Sequence, residues 1–350
     1  MKILYLSFTN TNHSLNAVYV KGLLQNRVEV LEYYSKSGRL KKYFDILKFY
    51  FANRQGTEVI IVGYQSPKLV WWLRLFSRKT IVYNALCSII ERFVISRKLA
   101  SRYSVKFFYY WFQDFLACLM ADLILLESTH QIDFFQKVFL VPRKRMFRAW
   151  TGVDEEKYFY DPGLEKFQEF TVIFRGRLLP ESGAEYVVKA AKKLERENVH
   201  FILHAFGQEH YTVKNLIDKL KPNNLEFISD FLPIEEVRTT MQKSHLSLGQ
   251  LSAHARLQRT IPHKAYESLV LRLPYLTARN PAILEFLREN ETCLACNPAD
   301  VEDLAAKILW AKEHPAELKA IAERAYKFYL EELTPKVLAK KVLKRLENEF

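Results

Sequence analysis

Lys264 and Glu267 stand three residues apart in the stretch Ile261 to Thr277, so a helix there would carry a cation and a carboxylate on one face. Pro262 suits the first turn of such a helix, where a missing N–H costs nothing, and Pro274 ends it before the short apolar strand Tyr275 to Thr277. A helix N-terminus with a lysine beside it favours a diphosphate, and a nearby carboxylate accepts hydrogen bonds from a ribose diol. An exposed ion pair on a surface helix is the other reading of the same residues. A second constellation runs from Phe174 to Gly183, after a strand and before a helix. Gly176 and Gly183 allow a ligand close to the backbone, and Arg177 leaving a strand end can grip a phosphate with two N–H groups. A purely structural turn would also explain it.

The elements around these residues alternate in type. In the N-terminal half the pattern predicts strands at 2–8, 28–33, 59–63, 79–84 and 123–126, with helices at 14–26, 40–53, 67–76 and 103–120 between them. Composition changes near Trp150-Thr151-Gly152, and a second series follows with strands at 170–175, 199–205, 225–228 and 246–248 and helices at 184–197, 211–220, 234–243, 281–288 and 301–313. Strand–helix alternation builds parallel sheets wrapped by helices. The expected fold class is therefore α/β, with two tandem Rossmann-like domains, 1–150 and 151–330, an interdomain cleft, and a helical tail at 331–350. Ligands of such sheets sit at the carboxyl ends of the strands. That places Asn84, Ser88 and Glu91, which follow the strand ending at 84, facing the cleft as candidate binding or catalytic residues, with Ser88 equally suited to capping a helix. His13 and His130 are the nearby candidates for a general base.

Charge is divided unevenly. Residues 1–150 hold 23 Lys and Arg against 9 Asp and Glu, whereas residues 151–350 hold 29 against 30. The excess sits among aromatic residues, as in Lys41-Lys42-Tyr43-Phe44 and in Arg97 to Lys106 followed by Phe107-Phe108-Tyr109-Tyr110-Trp111-Phe112. Such segments suit an anionic membrane surface; a solvated face over an aromatic core is the alternative, and no nucleic-acid module accompanies the charge. No uncharged run reaches the roughly 18–20 residues of a spanning helix, and the first residues read as a strand rather than a signal peptide. The expected location is cytoplasmic, peripheral at the inner membrane face. Cys293 and Cys296 lie in a strand-like stretch where residues three apart face opposite sides, which argues against zinc.

The order G-R-L-x-P-E-x-G after a strand, then P-x-K-x-x-E and x-P-Y-L-T some 80 residues later, resembles the donor domain of retaining glycosyltransferases of the GT-B fold, family four (glycosyltransferase group 1). The resemblance implies transfer of a hexose-like unit, with retention, from a nucleotide diphosphate sugar to a glycan or lipid-linked acceptor. It implies no cofactor and no metal. It gives Arg177 and Lys264 the diphosphate, with Gly176 beside them, and Glu267 the ribose. It matches Gly207 to a glycine turn, and Phe231 and Leu232 to the nucleobase pocket. The chain departs from the pattern at Ser182, where the family has Lys and for which Arg256 or Arg259 would substitute. It departs again at Arg259, where the family has a first Glu, and at Arg272, where it has Gly. These departures mark a divergent branch, and they leave a catalytically silent nucleotide-sugar-binding scaffold, or a nucleotide-sugar epimerase, as alternatives.

Overall fold

A computed structural model describes residues 1–12 and 14–348. The chain forms two compact units, Met1–Asp154 together with the segment beginning at Glu332, and Glu155–Glu331.

The first unit is built on six parallel strands in the order β2-β1-β3-β4-β5-β6. They are β1 (Lys2–Ser7), β2 (Glu29–Tyr34), β3 (Val59–Val62), β4 (Thr80–Leu86), β5 (Leu123–Leu126) and β6 (Met146–Arg148). Between them run α1 (Ser14–Gln25), α2 (Lys41–Asn53), α3 (Pro67–Arg74), α4 (Val105–Met120) and α5 (Thr129–Phe139). A sheet covered on both faces must be apolar on both, and β1 shows it. Ile3 and Tyr5 join one core cluster with α1, while Leu4 and Leu6 join another with α2, α3, α4 and α5.

The second unit repeats the plan in the order β12-β11-β10-β7-β8-β9. Its elements are β7 (Phe170–Leu178), α6 (Ala184–Lys193), β8 (Val199–Gly207), α7 (His210–Leu220), β9 (Leu225–Ile228), α8 (Ile234–Lys243), β10 (Leu246–Leu248), α9 (His263–Val270), β11 (Tyr275–Ala278), α10 (Pro281–Phe286), β12 (Leu294–Cys296), α11 (Val301–Glu313) and α12 (Pro315–Glu332). The last helix, α13 (Pro335–Glu347), returns to the first unit and packs on α1. A Cβ at Gly22 in the middle of α1 would overlap the Pro335 carbonyl, so this crossing needs glycine.

Two elements of the first unit escape the sequence pattern. Helix α5 is capped by Ser128, whose Oγ accepts from the Gln131 N–H at 3.0 Å, and buries Ile132, Phe135 and Phe139 at helical spacing. Strand β6 has three residues, too few for a period. Arg272 follows α9 with φ +49°, so the family's glycine position does take the left-handed turn glycine favours. Its guanidinium lies 4.5 Å and 4.3 Å from the Tyr160 and Tyr326 rings, contacts that offset the strain.

Candidate active site

The carboxyl end of β7 meets the first turn of α9 inside the second unit. Strand β7 buries Val172 and Phe174 in the core and then delivers Arg175, Gly176 and Arg177 at its end. Pro262 precedes α9 without offering a side-chain cap, so its first turn keeps its N–H groups for other partners.

Glu267 is 3% exposed, and its carboxylate is gripped by Arg175, with Nη1 at 2.6 Å from Oε1 and also bonded to Oε2. His263 Nδ1 lies 3.1 Å from Oε1, one helical turn earlier. Burial pushes the Glu267 carboxyl up, but the Arg175 guanidinium and His263 outweigh it and hold the group well below the usual carboxylate range. Glu267 is thus a buried anion with acceptor capacity left, since two carboxylate oxygens offer about four lone-pair sites.

Lys264 sits beside this pair and is 7% exposed. Its Nζ is buried, lies 3.5 Å from the Phe174 ring centroid and has no hydrogen-bond partner. Burial, then the Arg175 charge, lowers its pKa to about 7, against a smaller opposite pull from Glu267. An ammonium without an acceptor is costly in such a place, and a bound anion would relieve the cost. Gly176 makes room for it. A Cβ there would stand 3.3 Å from Lys264 Cε and 3.4 Å from Nζ, and the backbone has φ +149°.

The other expected donor residues fall around this centre in different ways. Arg177 is exposed at the strand end. Ser182 is buried before α6, and Gly183 takes a left-handed φ of +71° there. Arg256 is paired with buried Glu181, in the turn leading to Ser182, so its charge is already matched; Arg259 is half-buried in the next turn. Gly207 has φ +146°, and a Cβ on it would meet the Leu178 carbonyl at 2.7 Å. Phe231 is 87% exposed and Leu232 half-buried, next to Asp230, whose carbonyl lies 3.1 Å from His204 Nε2.

In the first unit Asn84, Ser88 and Glu91 are all buried. Ser88 Oγ accepts the Glu91 N–H at 3.0 Å, the capping role, and Glu91 opens a short π-helix, Glu91–Ser96, while accepting a hydrogen bond from Gln131. Asp114 Oδ2 accepts the Ile90 N–H at 3.3 Å; burial, with a smaller push from Glu91, raises its carboxyl well above the usual range. His130 is exposed on α5, and His13 lies outside the described residues. Sequence reasoning passed over Arg175, His263 and Asp114. Arg175 carried a usable signal, because it lies two residues before Arg177 on the same strand end.

Cys293 and Cys296 are buried core residues whose thiols burial pushes up to about 12. Among the described residues no group of three or more His, Cys, Asp or Glu is arranged to hold a metal, and no helix is long and apolar enough to cross a membrane.

Residues 159–328 match the family model for glycosyl transferases group 1. Several solved structures share the whole architecture. Alr3699/HepE from Anabaena, in complex with UDP-glucose, is 16% identical over 99% of this chain and 100% of that one, with a TM-score of 0.75. Sucrose-phosphate synthase from Thermosynechococcus elongatus is 13% identical over 99% of both chains, with a TM-score of 0.78. A glycosyltransferase from Rickettsia africae is 13% identical over 99% of both, with a TM-score of 0.69. No curated protein sequence matches this one. The fold is GT-B, two Rossmann-like α/β units in tandem.

Proposed function

We propose that this chain, whose residues 159–328 form a group 1 glycosyl transferase domain, is a retaining glycosyltransferase using a nucleotide diphosphate sugar. The buried, unpartnered Lys264 Nζ beside Gly176 carries the reading. The donor diphosphate is the anion that completes it, with Arg177 and the α9 N-terminus supplying further positive charge. Glu267, kept ionised by Arg175, accepts from the ribose. UDP-glucose is the first donor to test, because the Anabaena structure holds it.

In the transfer, the bond from the anomeric carbon to the diphosphate oxygen breaks and the nucleoside diphosphate leaves with the electron pair. The acceptor oxygen bonds to the same face of that carbon, and its proton passes to the departing diphosphate. Lys264 and Arg177 stabilise the charge that develops on the leaving group, the part a metal plays elsewhere.

The acceptor is a glycan or lipid-linked saccharide at an anionic membrane surface. The first unit supports this part of the reading. Phe44 on α2 is 64% exposed, Phe108 on α4 is 59% exposed and Tyr103 before α4 is 91% exposed. Arg97, Lys98, Arg102 and Lys106 run through the last two sites without one acidic residue from 92 to 113. Rings at headgroup depth with cations at the phosphates is the arrangement an anionic bilayer binds.

A thermal-shift screen of UDP-, GDP- and dTDP-sugars tests the donor assignment, since a ligand that binds only the folded state raises the melting temperature. One sugar nucleotide should stabilise the wild type and fail to stabilise Glu267→Gln. No shift with any donor would refute the function. For the membrane, flotation with anionic vesicles at low salt should exceed flotation with neutral ones and fall in Tyr103→Ser/Phe108→Ser; equal flotation in all cases removes that part alone.

A further inference from the structure

Four segments of the first unit meet beside the carboxyl end of β1. Phe8 follows that strand directly, Lys42 and Tyr43 lie in the first turn of α2, Lys68 is the second residue of α3, and Tyr109 lies one turn into α4. Lys42 Nζ stands 4.3 Å from the Phe8 ring centroid and 5.7 Å from that of Tyr43, and Lys68 Nζ donates to Tyr109 Oη. Phe8, Tyr43 and Trp72 form one edge-to-face series, with centroids 4.8 Å and 5.6 Å apart. Ser66 Oγ accepts the Phe8 N–H at 2.9 Å and Thr9 Oγ1 donates to the Tyr64 carbonyl at 3.2 Å, which ties the segment after β1 to the start of α3.

This cluster lacks a carboxylate. Residues 1–28 and 59–90 contain no Asp or Glu, and neither Lys42 nor Lys68 has an ion pair among the described residues. Asp45, further along α2, accepts from Ser35 Oγ at 2.7 Å and has Lys41 and Lys48 as its cations. Burial, then the Lys68 charge, lowers the Lys42 pKa, so the two ammonium groups act on each other. Neither α2 nor α3 has a side-chain cap on its first turn, and the positive ends of both helices add to the field. Tyr109 Oη accepts from Lys68 and keeps its own proton to give, while Trp72 Nε1 is buried without an acceptor.

We infer that this cluster binds an acidic sugar residue of the acceptor, one that carries a carboxylate or a phosphate. The rings offer apolar area to the C–H face of a pyranose, and Lys42, Lys68 and the Tyr109 O–H offer charge-assisted hydrogen bonds to its acid. An anion is required by the two ammonium groups alone. That the anion belongs to an acceptor saccharide rests on the glycosyltransferase reading.

The test is calorimetric titration of the full chain, without donor, by trigalacturonate, glucose 6-phosphate and neutral maltotriose. At least one acidic saccharide should bind, one per chain and at least about tenfold more tightly than maltotriose, and the tighter of the two identifies the acid. Lys42→Gln/Lys68→Gln should weaken it about 10- to 100-fold, the loss of two charge-assisted contacts. Tyr109→Phe, at an exposed position, should weaken it about 3- to 10-fold and keeps the test if the double variant melts well below wild type. Equal binding of maltotriose, no binding of either acid at millimolar concentration, or unchanged affinity in these variants overturns the proposal. Should the double variant keep its saccharide affinity and float less with vesicles containing phosphatidic acid, the lysines belong to a lipid surface instead. Because no donor is present, this titration and the donor screen can fail independently.

Discussion

Replacing Lys264 by Met should make the protein more stable and unable to hold its donor. Burial has lowered the Lys264 pKa from 10.5 to about 7, and each pKa unit corresponds to about 1.4 kcal/mol. Keeping the ammonium in place below pH 7 therefore costs on the order of 5 kcal/mol, of which an apolar side chain of similar length should recover about 2–4 kcal/mol. The folded-state value lies below the unfolded one, so the folded protein binds fewer protons between about pH 7 and 10.5. Wild-type stability rises with pH across that window, and the advantage of Lys264→Met, complete below pH 7, shrinks through it. Donor affinity should move in the opposite direction. A nucleotide sugar has no phosphate ionisation between pH 6 and 9, so a change in affinity across that range reports on the protein's own groups. The charged fraction of Lys264 falls as pH rises through about 7, and the apparent Kd for UDP-glucose should rise on the order of tenfold between pH 6.5 and 8.5. Calorimetry in two buffers of different ionisation enthalpy should show close to one proton taken up on binding at pH 8.5. A Kd that stays flat from pH 6.5 to 8.5, or a Lys264→Met protein less stable than wild type in urea at pH 6, would refute the assignment of Lys264 as an anion-binding group.

Two other changes address the same centre. Arg175→Met leaves the Glu267 carboxylate buried with His263 alone; breaking a buried pair costs about 3–5 kcal/mol, and the partial exposure of Arg175 reduces this to about 2–3 kcal/mol. Wild-type Glu267 titrates well below its unfolded value and stays ionised at pH 4.5, whereas in Arg175→Met burial drives the lone carboxyl toward protonation, which relieves the variant as pH falls; its deficit should therefore be larger in urea at pH 7.5 than at pH 4.5 and largely vanish in Arg175→Met/Glu267→Gln. A deficit independent of pH would show that the ion pair is not its source. Gly176→Ala places a Cβ against Lys264 and strains a backbone at φ +149°, at a cost of about 1–3 kcal/mol, and should weaken UDP-glucose at least tenfold in titration; an unchanged Kd would place the ligand away from this turn.

What the sequence reveals follows from how each residue is held. Lys264 and Glu267 were legible because helix spacing alone puts them together, and Gly176 because a glycine near a strand end lets a ligand approach the backbone. Arg175 was not, because its role depends on β7 running beside α9, a contact between residues 92 apart in the chain. The Arg256–Glu181 pair was hidden in the same way, since its members lie 75 residues apart in the chain. The two unpredicted elements of the first unit, α5 and β6, were hidden by a short apolar pattern and by brevity.

The contrast between the two units' buried carboxylates bears on how a proton would move in the reaction. Glu267 has a guanidinium against it and stays ionised, so it can accept from a hydroxyl throughout the catalytic cycle. Asp114 is met by backbone N–H groups and the neighbouring Glu91, and burial pushes its carboxyl toward the protonated form. The polar groups that end β4 thus form a hydrogen-bonded cluster, Ser88 to Glu91 and Glu91 to Gln131, with little exposure. A general base must reach the acceptor hydroxyl within hydrogen-bond distance and be free to take its proton. Residues committed to one another in this way position a loop instead. Under the proposed function the leaving diphosphate would then take the acceptor's proton, and the experiments on Lys264 and on Gly176 at the end of β7 are the ones that test how it is held.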